Sequence, residues 1–208
     1  MSISSQQHPQ AKKQKLLIPD LITVGVLTAI YFVLVSLSTL ISFLLLPGFA
    51  NIFLPAIAAL LSGSVYMLLA SKVKKFGAIT VMGSVMGLFF LISGHFALSF
   101  VICLVCAILA DLLAKWGAYT HRGKLLLSYL VFSYGLTGPI LPLWFMKDAY
   151  ITSLQNRGKD AAYIERVFSH VNQLMFVLCL LSIIVGSLAG GYFGQKMLKK
   201  HFAKAGMV

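Results

Sequence analysis

The chain alternates long apolar runs with short polar intervals. Most of the runs reach the roughly 20 apolar residues that an α-helix needs to cross a bilayer, and the third run is the shortest. The runs lie near Leu21–Leu46, Ile52–Ala70, Ala78–Ile92, Phe96–Ala114, Leu125–Met146 and Asn172–Phe193. This pattern predicts an all-α membrane protein built as a bundle of six transmembrane helices.

The polar intervals contain recognisable signals for helix ends. Asp20 follows Pro19 and is expected to cap the first helix, and Pro47-Gly48 closes it. One interval is long and extends from Lys147 to about His170. Its stretch DAAYIERVFSHV has apolar residues at helical spacing, which predicts a short helix lying across the outer mouth of the bundle.

The composition supports a membrane protein and argues against other classes. Hydrophobic residues make up 59% of the 208 residues and charged residues 11%, and the mean hydropathy is +0.92. A soluble domain of this size cannot bury so much apolar surface, whereas lipid removes the need. The net charge of +12 lies in short clusters between apolar runs, so no nucleic-acid partner is expected. Three cysteines inside apolar runs are interpreted as packing residues, not as metal ligands.

The distribution of basic residues predicts the orientation. The richer side holds Lys12, Lys13, Lys15, Lys72, Lys74, Lys75, Lys115, Arg122, Lys124, Lys196, Lys199, Lys200 and Lys204. The other side holds Lys147, Arg157, Lys159 and Arg166, offset by Asp148, Asp160 and Glu165. Because basic loops stay in the cytoplasm, both termini are expected there. The predicted organisation is a polar cytoplasmic tail over 1–19, without a cleavable signal, a six-helix membrane domain over 20–194, and a basic cytoplasmic tail over 195–208.

Small residues recur at a spacing of four in three of the runs. Gly25 and Ala29 lie one turn apart in the first run, Gly83 and Gly87 lie in the third, and the sixth has Gly186, Gly190 and Gly194. This spacing lets two helices approach closely. From the spacing alone, packing within the bundle is favoured over an interface with a partner.

Asp111 is the one acidic residue inside an apolar run. It lies near the cytoplasmic end of the fourth run, with Lys115 following at i+4. This arrangement favours a charge pair at the membrane boundary. A proton-relay role is the alternative.

Polar groups at the opposite side predict a pocket that opens outward. In TGPILPLWFMKDAY, Pro139 and Pro142 remove backbone donors, which leaves carbonyl groups that need partners in protein or in a wet cavity. His95 follows Gly94 in an outer turn, and an amide pair opens the sixth run. Each feature also has a simpler explanation, such as an interfacial Trp or a solvated loop. Taken together they predict a ligand pocket lined by Gly94, His95, Trp144, Lys147, Asp148, Tyr150, Asn172 and Gln173.

Motifs for hydrolysis or nucleotide binding are missing. The sequence contains no HExxH, GxSxG or P-loop, and no pair of intramembrane acids. We therefore expect a protein that binds a solute without covalent chemistry, and we expect no catalytic residues, metal or cofactor.

Several blocks of sequence resemble one membrane protein family. They are DLITVGVLTAIYFVL (20–34), LPAIAALLSGSVYMLLASKVKKFG (54–77), ISGH (92–95), LADLLAKWG (109–117), GPILPLWFMKDAY (138–150) and GQKMLKKHFAKAGMV (194–208). With these blocks the chain resembles the Trep_Strep family of bacterial integral membrane proteins. That family is usually placed among the S-components, the substrate-binding subunits of energy-coupling factor (ECF) transporters.

The resemblance implies that substrate binding and ATP hydrolysis belong to different subunits. An S-component captures a scarce nutrient outside the cell, then docks on a transmembrane coupling subunit driven by two cytoplasmic ATPases. Docking uses an AxxxA-type face of the first helix, and the matching positions here are Gly25 and Ala29, with Gly in place of the first Ala. The resemblance also implies the bacterial plasma membrane as location. It does not identify the nutrient. A vitamin-like or tetrapyrrole-like molecule suits a pocket with aromatic walls.

Two other classes remain as alternatives. A self-sufficient secondary transporter needs an ion site at mid-membrane, and Asp111 lies at the wrong depth. An intramembrane enzyme that pairs His95 with Asp111 would have to join groups about 24 Å apart along one helix.

Overall fold

The computed structural model describes residues 15–202 and is entirely helical over that range. The prediction of an all-α protein is confirmed for these residues, whereas most of the predicted N-terminal tail and the end of the C-terminal tail lie outside them. The helices are α1 Ile18–Leu45, α2 Ala50–Val73, α3 Ala78–Ile92, α4 Ala97–Trp116, α5 Arg122–Tyr134, α6 Pro142–Phe145, α7 Lys147–Asn156, α8 Ala161–Phe168 and α9 Gln173–Met197.

Four helices of the described range are long and apolar enough to cross a membrane. They are α1, α2, α4 and α9, the last continuing through a π-helical turn that begins at Leu198. The apolar helix α3 is shorter, with 15 residues. Many large side chains point outward from these helices, among them Leu44 and Ile92 with more than 80% of their surface exposed. Such an apolar exterior is what lipid tolerates and water does not.

The fifth apolar run does not form one continuous helix. Helix α5 ends at Tyr134, a 3₁₀ turn occupies Gly135–Thr137, and the four-residue α6 follows at Pro142–Phe145. Pro139 and Pro142 cannot donate the backbone hydrogen bonds that would extend the helix. The expectation of a single span over Leu125–Met146 is therefore wrong, and the count of six crossings stays a prediction.

The two ends of the bundle differ in charge and in structure. At one end, the basic end, the Lys75 ammonium group lies 2.6 Å from the Asp20 carboxylate and joins the α2–α3 loop to α1. Asp20 is not the N-cap of α1, as its position after Pro19 suggested. Leu17 occupies that position, and Asp20 accepts a hydrogen bond from the Leu17 amide at 2.7 Å. At the other end, the loop end, α6, α7 and α8 cover the bundle.

A seam of glycines joins α2 to α9. A Cβ added to Gly190 would lie 2.3 Å from the carbonyl oxygen of Ala59, and one added to Gly63 would lie 2.2 Å from Gly190. No side chain fits at these distances, so the two backbones touch directly. Packing within the bundle, the interpretation favoured for this glycine series, is confirmed for α9.

Asp111 is fully buried and caps a neighbouring helix. Its Oδ2 atom accepts hydrogen bonds from the amides of Gly77 and Thr80 at 2.8 and 3.0 Å and from the Thr80 hydroxyl at 2.9 Å. Tyr119 donates its hydroxyl to Oδ1 at 2.8 Å. The carboxylate thus satisfies the free amides at the start of α3. The expected pairing with Lys115 is wrong, because the Lys115 ammonium group lies over the ring of Phe76 at 5.4 Å.

Two apolar clusters hold the bundle together. The larger one spans α1 to α5 and contains the fully buried rings of Tyr31, Tyr66 and Tyr129. The smaller one lies at the loop end and joins Ile52 of α2 and Ile183 of α9 to Leu143 of α6. The second cluster fixes the broken fifth run against the bundle, next to the cavity described below.

Candidate ligand-binding cavity

A cavity of about 430 Å³ opens at the loop end. It lies between α1, α2 and α3 and is closed by the segment after α5 and by α7. This volume falls within the range of small-molecule pockets, roughly 300–1,000 Å³.

Helix α1 supplies one wall, and four of its five lining side chains follow one another along a single face. Phe32, Ser36, Thr39 and Phe43 are spaced by four, three and four residues, so they line up along the cavity. The Thr39 hydroxyl donates to the carbonyl of Val35 at 3.1 Å. Its lone pairs therefore remain available to accept a hydrogen bond from a ligand.

Helix α2 supplies a second wall in its first turns. Asn51 brings an amide, and Leu54 and Pro55 bring apolar surface. Because Pro55 has no N–H, the backbone carbonyl of Asn51 cannot receive the usual α-helical hydrogen bond. Asn51 thus lines this wall, and its backbone carbonyl lacks the usual helical donor.

His95 lies in the α3–α4 turn and faces the cavity, half-buried. Its Nδ1 atom lies 3.3 Å from the Phe90 carbonyl, and its ring packs edge-on against the Phe90 ring at 5.4 Å. Burial lowers the pKa of His95; the hydrogen bond to Phe90 opposes this, and the charge of Arg157 adds to it. The neutral ring that donates from Nδ1 keeps Nε2 as an acceptor.

Helix α7 closes the cavity from above through Tyr150. The Tyr150 ring stacks on Phe96 at 5.9 Å and meets the edge of Phe168 at 6.0 Å. Burial raises the pKa of Tyr150, which keeps its hydroxyl protonated and able to donate. At the end of α7, Arg157 donates to the carbonyl of Gly94 and so ties this helix to the α3–α4 turn.

The electrostatics of the cavity suit an uncharged ligand. Of the described residues that line it, none is Asp, Glu, Lys or Arg, and the polar groups are hydroxyls, one amide and one imidazole. Phe32, Phe43, Phe89, Phe90 and Tyr150 provide flat apolar surface for a ring system. Within residues 15–202, no group of three His, Cys, Asp or Glu side chains is placed to hold a metal ion.

The predicted pocket residues separate into three groups. His95 and Tyr150 line the cavity, and Gly94 shapes the turn beside it, with a φ of +79° that favours glycine. Trp144 and Asn172 meet each other instead. The Trp144 indole donates to the Asn172 backbone carbonyl at 3.1 Å, and the Asn172 side chain accepts from the Met175 amide at 2.9 Å and so caps α9.

The remaining predicted residues lie farther from the cavity. Lys147 and Asp148 are exposed in the first turn of α7, and Gln173 is exposed at the start of α9. Lys147 lines a separate groove between α7 and α8, with its ammonium group 5.4 Å from the centre of the Phe168 ring.

Sequence reasoning missed the walls formed by α1 and α2. The signal was present for α1, because Ser36 and Thr39 place hydroxyls on the same helical face as Phe32 and Phe43. Asn51 carried a weaker signal, as an amide directly after the Pro47-Gly48 turn.

The small residues of α1 face outward instead of into the bundle. Gly25 and Ala29 are exposed, and a Cβ added to Gly25 would meet no atom within 4 Å. They line a groove of about 460 Å³ between α1 and α3. The interpretation that they pack inside the bundle is therefore wrong. The neighbouring Thr28 hydroxyl, buried beside this groove, has no hydrogen-bond partner in the part of the chain that the structure describes.

Helices with an apolar exterior around a ligand-sized cavity define this chain as an integral membrane protein. Residues 18–204 match the family described as "Hypothetical bacterial integral membrane protein (Trep_Strep)", and the chain belongs to that family. The family resemblance noted in the sequence is thus confirmed. No curated protein and no solved structure gives a significant match.

Proposed function

We propose that this protein is the substrate-binding S-component of an ECF-type importer in the bacterial plasma membrane. It captures a small, uncharged, vitamin-like micronutrient outside the cell and passes it inward after docking on a coupling subunit. The observation that carries this proposal is the cavity of about 430 Å³ at the loop end, where His95 and Tyr150 face Ser36, Thr39 and Asn51.

The cavity suggests how such a ligand is held. A flat ring system is expected to lie between the Phe32 and Phe89 side chains, where contact with aromatic faces provides most of the affinity. The neutral Nε2 atom of His95 accepts a hydrogen bond, the Tyr150 hydroxyl donates one, and the Asn51 amide does both. These groups fix orientation and reject ligands whose polar atoms are placed differently.

Helix α7 is suited to act as the cover of the site. Its contacts with the rest of the loop end include Tyr150 against Phe96 and Phe168, and Arg157 on the Gly94 carbonyl. No residue of α7 belongs to the larger apolar cluster, so release of these contacts would open the cavity without disturbing that cluster.

The exposed face around Gly25 and Ala29 suits the docking step. Neither residue has a bulky side chain, and a Cβ at Gly25 meets open space, so a partner helix can approach the α1 backbone closely. The partners in this proposal are the transmembrane coupling subunit and its two cytoplasmic ATPases. The chain itself performs no chemistry in this scheme.

The proposal is tested by uptake into vesicles that contain the chain, the coupling subunit and both ATPases. Uptake of the co-purifying solute is expected to require ATP and the coupling module. Gly25→Leu is expected to reduce uptake at least tenfold while solute binding is unchanged, because the leucine blocks close approach. Val26→Leu, at an exposed neighbour on the same helix, is the matched control and should have little effect. Uptake that proceeds without ATP, or without the coupling module, contradicts the proposal.

A further inference from the structure

A second recess lies at the basic end of the bundle, opposite the cavity. It has a volume of about 300 Å³ and is formed by the ends of α2 and α9, the start of α5 and the α4–α5 turn. Three cationic side chains line it: Lys74, Arg122 and Lys199. They come from three different elements, so the fold brings them together.

Among residues 15–202, no carboxylate forms an ion pair with these three cations. Within the described residues, the one ion pair at this end joins Lys75 to Asp20, neither of which lines the recess. The other nearby carboxylate, Asp111, lies behind Tyr119 and already accepts four hydrogen bonds. The recess therefore offers unpaired positive charge to an anion.

One of the three cations, Lys74, and the neighbouring α4–α5 turn have left-handed backbone. Lys74 ends α2 with a φ of 47°, and Ala118 and Tyr119 in the α4–α5 turn have φ values of 50° and 57°. Residues other than glycine rarely adopt this left-handed conformation, and such strain concentrates where a ligand is bound. Gln195 adds rigidity by donating to the carbonyl of Arg122 at 2.9 Å, which joins α9 to α5.

The remaining walls of the recess are partly polar, through Ser71, Tyr119, Thr120 and Gln195, and partly apolar. Met67, Leu125 and Leu198 lie beside the cations. Close by, Trp116 is 69% exposed and carries the Lys124 ammonium group 3.9 Å from the centre of its ring. An exposed Trp beside Lys is typical of the membrane interface. The recess therefore lies at the depth of lipid headgroups, with apolar surface for the first part of an acyl chain.

We propose that this recess binds the phosphate headgroup of an anionic phospholipid. A phosphodiester matches a site of convergent cations, and basic pockets between membrane helices bind such headgroups. The lipid would brace α2, α5 and α9 against one another at this end. This inference does not depend on the proposed transport function.

In the test, the full chain is placed in nanodiscs and then released from them for native mass spectrometry. From discs that contain equal amounts of phosphatidylglycerol and phosphatidylcholine, the wild type should retain at least ten times more phosphatidylglycerol than phosphatidylcholine. The variant Lys74→Gln/Arg122→Gln/Lys199→Gln should lose this preference. The matched control Lys72→Gln/Lys196→Gln/Lys200→Gln removes the same charge at the same end from residues outside the recess, and should keep it.

Three results would overturn the proposal. One is equal retention of the two lipids by the wild type. Another is an equal loss of the preference for phosphatidylglycerol in the recess variant and in the control. That result would indicate that the basic end as a whole attracts the anionic lipid. The third is displacement of phosphatidylglycerol by millimolar inorganic phosphate, which indicates a site for free phosphate. The melting temperature of the wild type supplies a readout that needs no variant, and it should be higher in phosphatidylglycerol discs than in phosphatidylcholine discs.

Discussion

His95 precedes α4 and Asp111 lies in the second half of that helix, and the two side chains have different surroundings. Partial burial lowers the pKa of His95, and the charge of Arg157 adds to this, which favours the neutral ring. Asp111 is buried completely but is surrounded by hydrogen-bond donors that stabilise a carboxylate. One residue thus offers an acceptor to a ligand, while the other caps α3 and serves the structure of the bundle.

Replacement of Asp111 tests that structural role. Asp111→Asn should destabilise the protein by about 2–3 kcal/mol, because an amide cannot accept from all four donors that the carboxylate satisfies. Thermal unfolding in detergent measures the effect, with the exposed Asp148→Asn as the control. Solute binding at the loop end should be unchanged in both. Equal melting temperatures for the two variants would contradict the role of Asp111 as the cap of α3.

The lowered pKa of His95 predicts a pH dependence of stability. In the unfolded chain, His95 takes up a proton as the pH falls through its ordinary value near 6.5, whereas the folded protein takes it up only at lower pH. The folded state therefore loses stability as the pH falls below about 6.5. Melting temperatures recorded from about pH 8 to about pH 5 should decline less for His95→Gln than for the wild type. An identical decline of the melting temperature in both proteins would show that groups other than His95 cause the pH dependence.

At the scale of whole helices, the seam between α2 and α9 is the tightest contact. Gly63, Gly190 and Gly194 bring the two backbones so close that any added Cβ would lie within 3 Å of a backbone atom. In lipid, where no hydrophobic force drives helices together, such close packing is a main source of association. The seam also fixes the start of α2 beside the cavity.

A single methyl group should disrupt this seam. Gly190→Ala places its Cβ 2.3 Å from the Ala59 carbonyl oxygen, so the helices must separate, at a cost of about 3 kcal/mol. The control Gly123→Ala meets its nearest atom at 3.5 Å and should be close to neutral. Fluorescence-detected gel filtration after heating compares the two. A Gly190→Ala protein as stable as the control would show that the seam is looser than described.

The helices were predictable from sequence wherever a run was long and uninterrupted. The third run, Ala78–Ile92, coincides with α3, and the first, second, fourth and sixth differ from the observed helices by a few residues at their ends. The fifth failed because two prolines outweigh apolar composition. The short helix predicted within DAAYIERVFSHV is confirmed as α8, and its location on the outer side stays a prediction. Helix α7 was missed because its sequence is polar and weakly periodic.

The site was less predictable than the helices. His95 and Tyr150 were found because polar residues beside apolar runs are conspicuous in a sequence. Ser36 and Thr39 were missed because hydroxyls inside an apolar run resemble ordinary packing residues. Asp111 was paired with the wrong partner because its donors lie more than 30 positions away in the chain, apart from Tyr119. Contacts of that range depend on how helices pack, which periodicity alone does not give.

At the scale of the whole molecule, charge separates the two ends. The basic end carries Lys and Arg from α2, α4, α5 and α9, whereas the loop end mixes four basic with three acidic residues. By the positive-inside rule, the basic end is expected in the cytoplasm and the cavity outside. In that orientation the cavity would face the medium, as the proposed function requires, and the recess proposed to bind lipid would lie in the inner leaflet.

Labelling with a membrane-impermeant maleimide tests this orientation. In a background without the native cysteines, Lys159→Cys at the loop end should react in intact cells. Lys72→Cys at the basic end should react only after permeabilisation. Both positions are exposed, so access to the reagent differs only by side of the membrane. The opposite labelling pattern would show that the basic end lies outside and the loop end in the cytoplasm.

The central claim is that the loop-end cavity holds a small uncharged molecule. Native mass spectrometry of the chain purified from bacterial membranes tests it most directly. The wild type should carry one bound small molecule, and Thr39→Trp, which fills the cavity, should lose it. Leu37→Trp, which faces outward from the same helix, should retain it. A wild type that carries no such molecule, or a molecule retained equally by Thr39→Trp, would contradict the account.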